Sequence, residues 1–345
     1  MSEYSALLGT EYPIIQAPMA GVQDSALAIA VSNAGGLGSV PCAMLTIDAM
    51  RVEFTAMRSG TQRPWNANFF CHEQPAPDVA REASWRAALA PYYDEFGIPR
   101  DSAPAGQGRA PFNDAMADLV EEFRPTVVSF HFGLPPALLL ERVRATGAKI
   151  LSSATTVDEA RWLDAQGIDG IIAQGVEAGG HRGMFLTDDV STQVSTLALV
   201  PQIVQSVRAP VIAAGGIADA RGIQAALVLG AVAVQIGTAY LLCPEATTSR
   251  VHRTALQQPS AGHTALTNLF TGRPARSIVN RLMREVGPLS SAPPAFPYAG
   301  GAITPLRARA ESEGRGDFSP LWAGQNVSGC RAIPAAELTR LLFTM

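Results

Sequence analysis

The chain has 345 residues, 47% of them hydrophobic and only 16% charged, a balance that excludes a disordered or coiled-coil protein. A formal net charge of −4 offers no basic surface for nucleic acid, and no apolar run reaches the roughly 18 residues of a membrane helix. The opening MSEYSALLGTEY lacks the basic and apolar regions of a secretory signal. Cys42, Cys71, Cys243 and Cys330 form no CxxC pair, so a cytoplasmic protein with reduced thiols is expected.

Strand-like runs follow in order: YPIIQAP (12–18), GLGSVP (36–41), RPWNANFF (63–70), TVVSFHF (126–132), KILSSAT (149–155), GIIAQG (170–175), PVIAAGG (210–216) and AVAVQIGT (231–238). Between them lie helix-like segments at 25–35, 135–147, 156–167 and 219–230, the last three ending in glycine. Short, nearly continuous apolar strands alternating with amphipathic helices predict a parallel α/β architecture. Eight strands in about 240 residues match a (β/α)8 TIM barrel. A doubly wound sheet is the alternative, but the GxGxxG expected after its first strand is missing.

Two stretches break the rhythm. Residues 71–123 are long for one connection, and 96–112 read as a flexible loop by composition. Residues 243–330 show no clear strand series and include helix-like 276–287 and Pro-rich 290–301. The expected organisation is a barrel over 1–242 with an insertion at 71–123, then a helical cap over 243–330. A C-terminal helix within 331–345 returns to the barrel.

Active-site residues of such barrels stand at the C-terminal ends of strands. Here those ends carry QAPMAG (16–21), Asn68, His131, the stretch from Gln174 to Gly183, Gly215–Gly216 and QIGT (235–238). Two histidines do not make a metal site, and the only lysine, Lys149, opens a strand, so metal and Schiff-base chemistry drop out. Glycine turns on the last two strands favour a phosphorylated ligand. The amides of Asn68, Gln174 and Gln235 suit the edge of a heterocycle. Flavin mononucleotide (FMN) fits both features; a phosphosugar fits the first. His181, directly behind two glycines, is the residue type suited to moving a proton near neutral pH. His72, His252 and His263 are expected at the surface.

QAPMAG (16–21), NANFF (66–70), SFHFG (129–133) and QGVEAGGHRG (174–183), followed by AAGGI, QIGT and LWAGQNV (321–327), resemble the motifs of class I nitronate monooxygenases. The resemblance runs over essentially the whole barrel and continues to 321–327. It implies a lidded TIM barrel with non-covalent FMN that oxidises alkyl nitronates by O2, through a flavin semiquinone, to an aldehyde or semialdehyde with nitrite and nitrate. Propionate 3-nitronate is the implied substrate.

By position, the resemblance implies FMN contacts from Met19, Asn68, Gln174, Gly179, Gly180, Gly215 and Gly216. Gln235, Ile236, Gly237, Thr238 and Gln325 complete that set. His181 and His131 face the substrate as catalytic residues, and Tyr298 resembles a substrate-pocket tyrosine. The family's cap lysine corresponds to Arg307 or Arg309. Because nitronates are already deprotonated, charge stabilisation by His181 ranks above proton abstraction. The competing reading is an NAD(P)H-dependent flavin reductase of quinones or enoyl thioesters, which shares the glycine turns; His131 within SFHFG favours the nitronate enzymes. No interface signature distinguishes a monomer from a homodimer.

Overall fold

Alternation along each strand organises the molecule. In the computed structural model, which describes residues 2–102 and 109–344, eight strands line up. They are β1 (Ile14–Gln16), β2 (Gly38–Pro41), β3 (Trp65–Phe70), β4 (Val127–His131), β5 (Lys149–Ala154), β6 (Gly170–Gln174), β7 (Val211–Ala214) and β8 (Ala233–Ile236). All pair in parallel, in the ring order β1-β8-β7-β6-β5-β4-β3-β2. Leu37, just before β2, closes the ring: its N–H donates to the Ile14 carbonyl at 2.8 Å, and Gln16 N–H donates to the Leu37 carbonyl at 2.9 Å. This is the expected (β/α)8 barrel.

Successive strand residues enter different cores, as a period of two requires. Ile14, Val128, Ile150, Ile171 and Val211 pack outward with the surrounding helices. Ile15, Val127, Leu151, Ile172 and Ile212 form a separate cluster with Leu7 and Leu8 of the N-terminal helix Glu3–Leu8. Two residues further along, the inward positions turn polar. Asn66 Nδ2 donates to Ser39 Oγ at 3.0 Å and to Ser129 Oγ at 2.9 Å, and Asn68 Nδ2 donates to Ser129 Oγ at 2.9 Å. The barrel is therefore apolar at one end and polar at the mouth.

Barrel helices follow β1 (Ser25–Asn33), β2 (Ile47–Gly60), β3 (Asp114–Phe123), β4 (Ala137–Ala145), β5 (Val157–Ala165), β6 (Thr196–Val204) and β7 (Ala220–Val228). The C-terminal Ala335–Phe343 fills the last place, between Ser25–Asn33 and Ala220–Val228. Three of these helices, Ile47–Gly60, Thr196–Val204 and Asp114–Phe123, lie outside the helix-like segments of the sequence. The second holds Pro201, which reads as a breaker, yet a cap in which Ser195 Oγ accepts the Ala198 N–H starts it.

The insertion is not one loop. Asp114–Phe123 is a barrel helix, whereas Val79–Glu95 leaves the barrel and joins a second core with Gly300–Ser312 and Arg281–Glu285. There Trp85 Nε1 donates to the Ala299 carbonyl at 3.1 Å and Tyr93 Oη to the Ala302 carbonyl at 2.6 Å. Of the expected flexible loop at 96–112, residues 103–108 lie outside the described residues. Residues 243–330 also hold two strands that an all-helical reading omits: Thr264–Thr267 and Ala275–Ile278 pair antiparallel, and the second pairs in turn with Gly180–His181. His72 and His252 are buried rather than at the surface, while His263 is exposed.

Candidate active site at the barrel mouth

At the polar end lies a cleft with about 1260 Å³ of space, open to solvent on one side. Every barrel strand except β2 and β5 brings an end residue or following turn to it that the sequence singled out. These are Met19 after β1, Asn68 on β3, His131 on β4 and Gln174 on β6, then Gly215 and Gly216 after β7, and Gln235 to Thr238 from β8. Gly179, Gly180 and His181 close one side, and β5 adds Ser153, which the sequence reading missed.

The turn after β6 is held by charge and hydrogen bonds rather than by an apolar core. Arg182, fully buried, donates from Nη1 to the Gly175 carbonyl at 2.9 Å and from Nη2 to the Gln174 carbonyl at 2.6 Å. Arg276 Nε donates to the Val176 carbonyl at 2.7 Å from the neighbouring strand. Gln174 spends its amide inside the turn: Nε2 donates to the His181 carbonyl at 2.9 Å and Oε1 accepts the Gly183 N–H at 2.7 Å. These bonds shape the loop, and the side chain also lines the cleft. Gly179 is also constrained by protein, because a Cβ there would sit 2.6 Å from both Ala323 C and Gly324 N.

The tautomers of the two site histidines follow from their partners. His131 Nε2 lies 3.3 Å from the His181 carbonyl, which can only accept, so Nε2 carries the proton and Nδ1 accepts from Ser153 Oγ at 3.0 Å. Both nitrogens of His131 are engaged. His181 Nε2 lies 2.9 Å from Thr271 Oγ1, which also lies 3.3 Å from the Arg273 carbonyl and can donate to either. His181 Nδ1 has no hydrogen-bond partner among the described residues, and an acceptor placed there selects the tautomer in which Nδ1 carries the proton and Nε2 accepts from Thr271. Burial pushes the His131 pKa down to about 3. Burial, then the charge of Arg109 and the neighbouring His131 and Arg273, hold His181 well below the usual imidazole range. Both rings are neutral at physiological pH.

Across the cleft the protein leaves anion-binding groups free. Gly215 and Gly216 adopt left-handed backbone (φ +120° and +72°), and Thr238 opens the short helix Thr238–Leu242. The N–H groups of Gly216, Gly237 and Thr238 meet no backbone acceptor among the described residues. Gln235 Oε1, on β8 beside them, is buried without a partner. An orphaned amide next to free N–H groups is what a phosphate joined to a hydrogen-bonding ring would satisfy, so these residues fit FMN.

Three expectations are not brought into the cleft. Tyr298 stands away from it, donating to the Pro75 carbonyl at 3.0 Å and accepting from Gln74 Nε2 at 2.9 Å. Gln325 is exposed; its N–H donates to the Glu177 carbonyl at 3.0 Å, while its neighbours Gly324 and Asn326 reach the cleft. Arg307 and Arg309 pair with Glu311 at 2.8 Å and Glu313 at 3.0 Å on their own helix.

The sequence reading also missed Arg109, Phe70 and Trp322, which line the cleft. Phe70, Phe132, Phe296 and Trp322 surround His181, at centroid distances of 5.4 to 6.1 Å. Arg109 lies next to the residues outside the described set, in a stretch whose composition spoke only of a loop.

The nitronate monooxygenase family model matches residues 2–344. The chain is 43% identical to a nitronate monooxygenase of Pseudomonas aeruginosa, over 98% of this chain and 97% of that one. Its structure is similar to that of a nitroalkane oxidase from Streptomyces ansochromogenes, with a TM-score of 0.90, 39% identity, and coverage of 99% and 96%. It is more distantly similar to FabK from Thermotoga maritima, at a TM-score of 0.72 and 26% identity over 99% and 94% of the two chains. The chain is an oxidoreductase and belongs to the nitronate monooxygenase family.

Proposed function

We propose that this enzyme oxidises alkyl nitronates, propionate 3-nitronate among them, with O2 and with FMN held at the barrel mouth, yielding an aldehyde or semialdehyde with nitrite and nitrate. The observation that carries the cofactor is the unpartnered Gln235 Oε1 beside the free N–H groups of Gly216, Gly237 and Thr238. Gly215, Gly216, Gly237 and Thr238 hold the phosphate in this reading, with Asn68, Gln235 and Met19 along the ring. Bound FMN supplies the electron acceptor.

His181 is the catalytic residue of this reading, positioned by Thr271. A ring held this far below the usual imidazole range is a poor base, so His181 does not begin by taking a carbon-bound proton. Its neutral ring instead donates from Nδ1–H to an already anionic nitronate and orients it against the aromatic wall of Phe70, Phe296 and Trp322, which excludes water. His131 acts through His181: its Nε2–H fixes the main-chain oxygen of the loop.

The test is oxygen uptake by the FMN-loaded protein with propionate 3-nitronate, with nitrite and nitrate measured together. Nitronate-dependent uptake without NADH supports the reading. Uptake only with NADH favours the reductase alternative.

A further inference from the structure

Among the described residues, Arg109 is the one charged side chain lining the cleft. Nothing acidic faces it: burial alone shifts its titration, pushing it down to about 10, and no carboxylate is within ion-pair reach among the described residues. The guanidinium is held by soft contacts, 5.6 Å from the centroid of the Phe296 ring and with Nη2 3.6 Å from Met44 Sδ. Its backbone is fixed from below, where buried His72 Nε2 donates to the Arg109 carbonyl at 2.9 Å. A half-buried cation that is held in place without a counter-charge is a ready partner for an anionic ligand group.

The other charges near the cleft do not compete. Arg273 does not line the cleft: it donates to the Met184 carbonyl and lies on the face of Phe132, 4.1 Å away, with Nε buried and unpartnered among the described residues. His72, His131 and His181 are neutral. Arg307 and Arg309 are occupied by glutamates of their own helix. Among the described residues the cleft lining thus presents a single positive charge, that of Arg109, together with a histidine that suits the nitronate group.

We propose that Arg109 recognises a carboxylate on the substrate, so that the enzyme selects nitronates bearing a second negative charge over those with an uncharged tail. The assignment rests on the nitronate reading above. Arg109 is a specificity residue here: its fork suits a bidentate carboxylate, and it leaves the nitronate end to His181.

The test compares kcat/KM for propionate 3-nitronate with that for propyl 1-nitronate, equal in carbon number, in the FMN-loaded wild type and in Arg109→Gln and Arg109→Lys. In Arg109→Gln the ratio of the two values is expected to fall roughly ten- to a hundredfold, chiefly through KM for the carboxylated substrate. Arg109→Lys recovers part of the ratio because it keeps the charge and loses the fork. Equal losses on both substrates would mean that Arg109 serves the nitronate group or the fold, and would overturn the assignment. So would an unchanged ratio. If the wild type oxidises neither nitronate, the functional reading falls and the assignment with it; if it oxidises both and the ratio does not move, only the assignment falls.

Discussion

His131 and His181 are joined ring to backbone: the His131 Nε2–H points at the His181 carbonyl oxygen, 3.3 Å away, while Ser153 Oγ occupies the other His131 nitrogen at 3.0 Å. Two histidines that look equivalent in the sequence therefore divide the work. One holds the loop and the other faces the substrate.

Replacing His131 by Ala leaves the Ser153 hydroxyl without its acceptor and deprives the His181 carbonyl of one of its two donors. A stability loss of about 1–3 kcal/mol is expected, together with a lower kcat. His131→Gln restores a donor and recovers part of both. Urea unfolding alongside steady-state kinetics checks this; a His131→Ala protein of unchanged midpoint and kcat contradicts it.

His181→Ala removes the one histidine with an unpartnered ring nitrogen in the cleft among the described residues. Turnover is expected to drop about a hundredfold or more, with flavin retained. The ring's pKa is depressed, so it is already neutral through pH 6 to 8 and kcat/KM on a nitronate shows no limb from it there. A wild-type limb near 6.5 that disappears in His181→Ala contradicts this account.

Gly216 has φ +72°, a conformation that a β-branched residue rarely adopts. Gly216→Val reshapes the turn whose N–H groups are assigned to the phosphate. Purified variant protein is expected to be colourless, or to bind added FMN at least tenfold more weakly. The readout is flavin released on denaturation, and a fully yellow variant contradicts the phosphate assignment.

Burial holds His72 and His252 at about 4 in the folded protein, against an ordinary 6.5. As the pH falls below 6.5 the unfolded chain takes up these protons first. The stability these rings contribute is complete above 6.5 and is lost as pH falls toward 4, at about 1.4 kcal/mol per pH unit for each fully buried ring. Between pH 6.5 and 5 carboxylates titrate little, so a fall in urea midpoint there reports the histidines. A flat midpoint over that interval contradicts their burial as neutral rings.

The barrel was legible because its strands are short apolar runs and because inward positions change from Ile15, Val127 and Ile172 to Asn68, His131 and Gln174 within a few residues. That change marks the mouth, and the glycine turns at 215–216 and 237 mark its phosphate side. What escaped were contacts between distant segments. Gln174 stands at the cleft as expected, but its bonds to His181 and Gly183 depend on how the loop returns. His72 looked like a surface residue because nothing in its own neighbourhood announces that Phe132 and Phe296 cover it. The strand pair 264–267 and 275–278 is built from a mixed polar pattern, and pairing with Gly180–His181 stabilises it from outside. Arg109 is one charge in a loop-like stretch, and only the folded cleft shows that it lacks a counter-charge.

The most direct measurement of the central claim is the absorption spectrum of the FMN-loaded protein under nitrogen, recorded before and after propionate 3-nitronate, with NADH added to a separate cuvette. The account expects the nitronate to reduce the flavin at once and NADH to leave it unchanged. Reduction by NADH, with the nitronate inert, would contradict it and move the enzyme to the reductases.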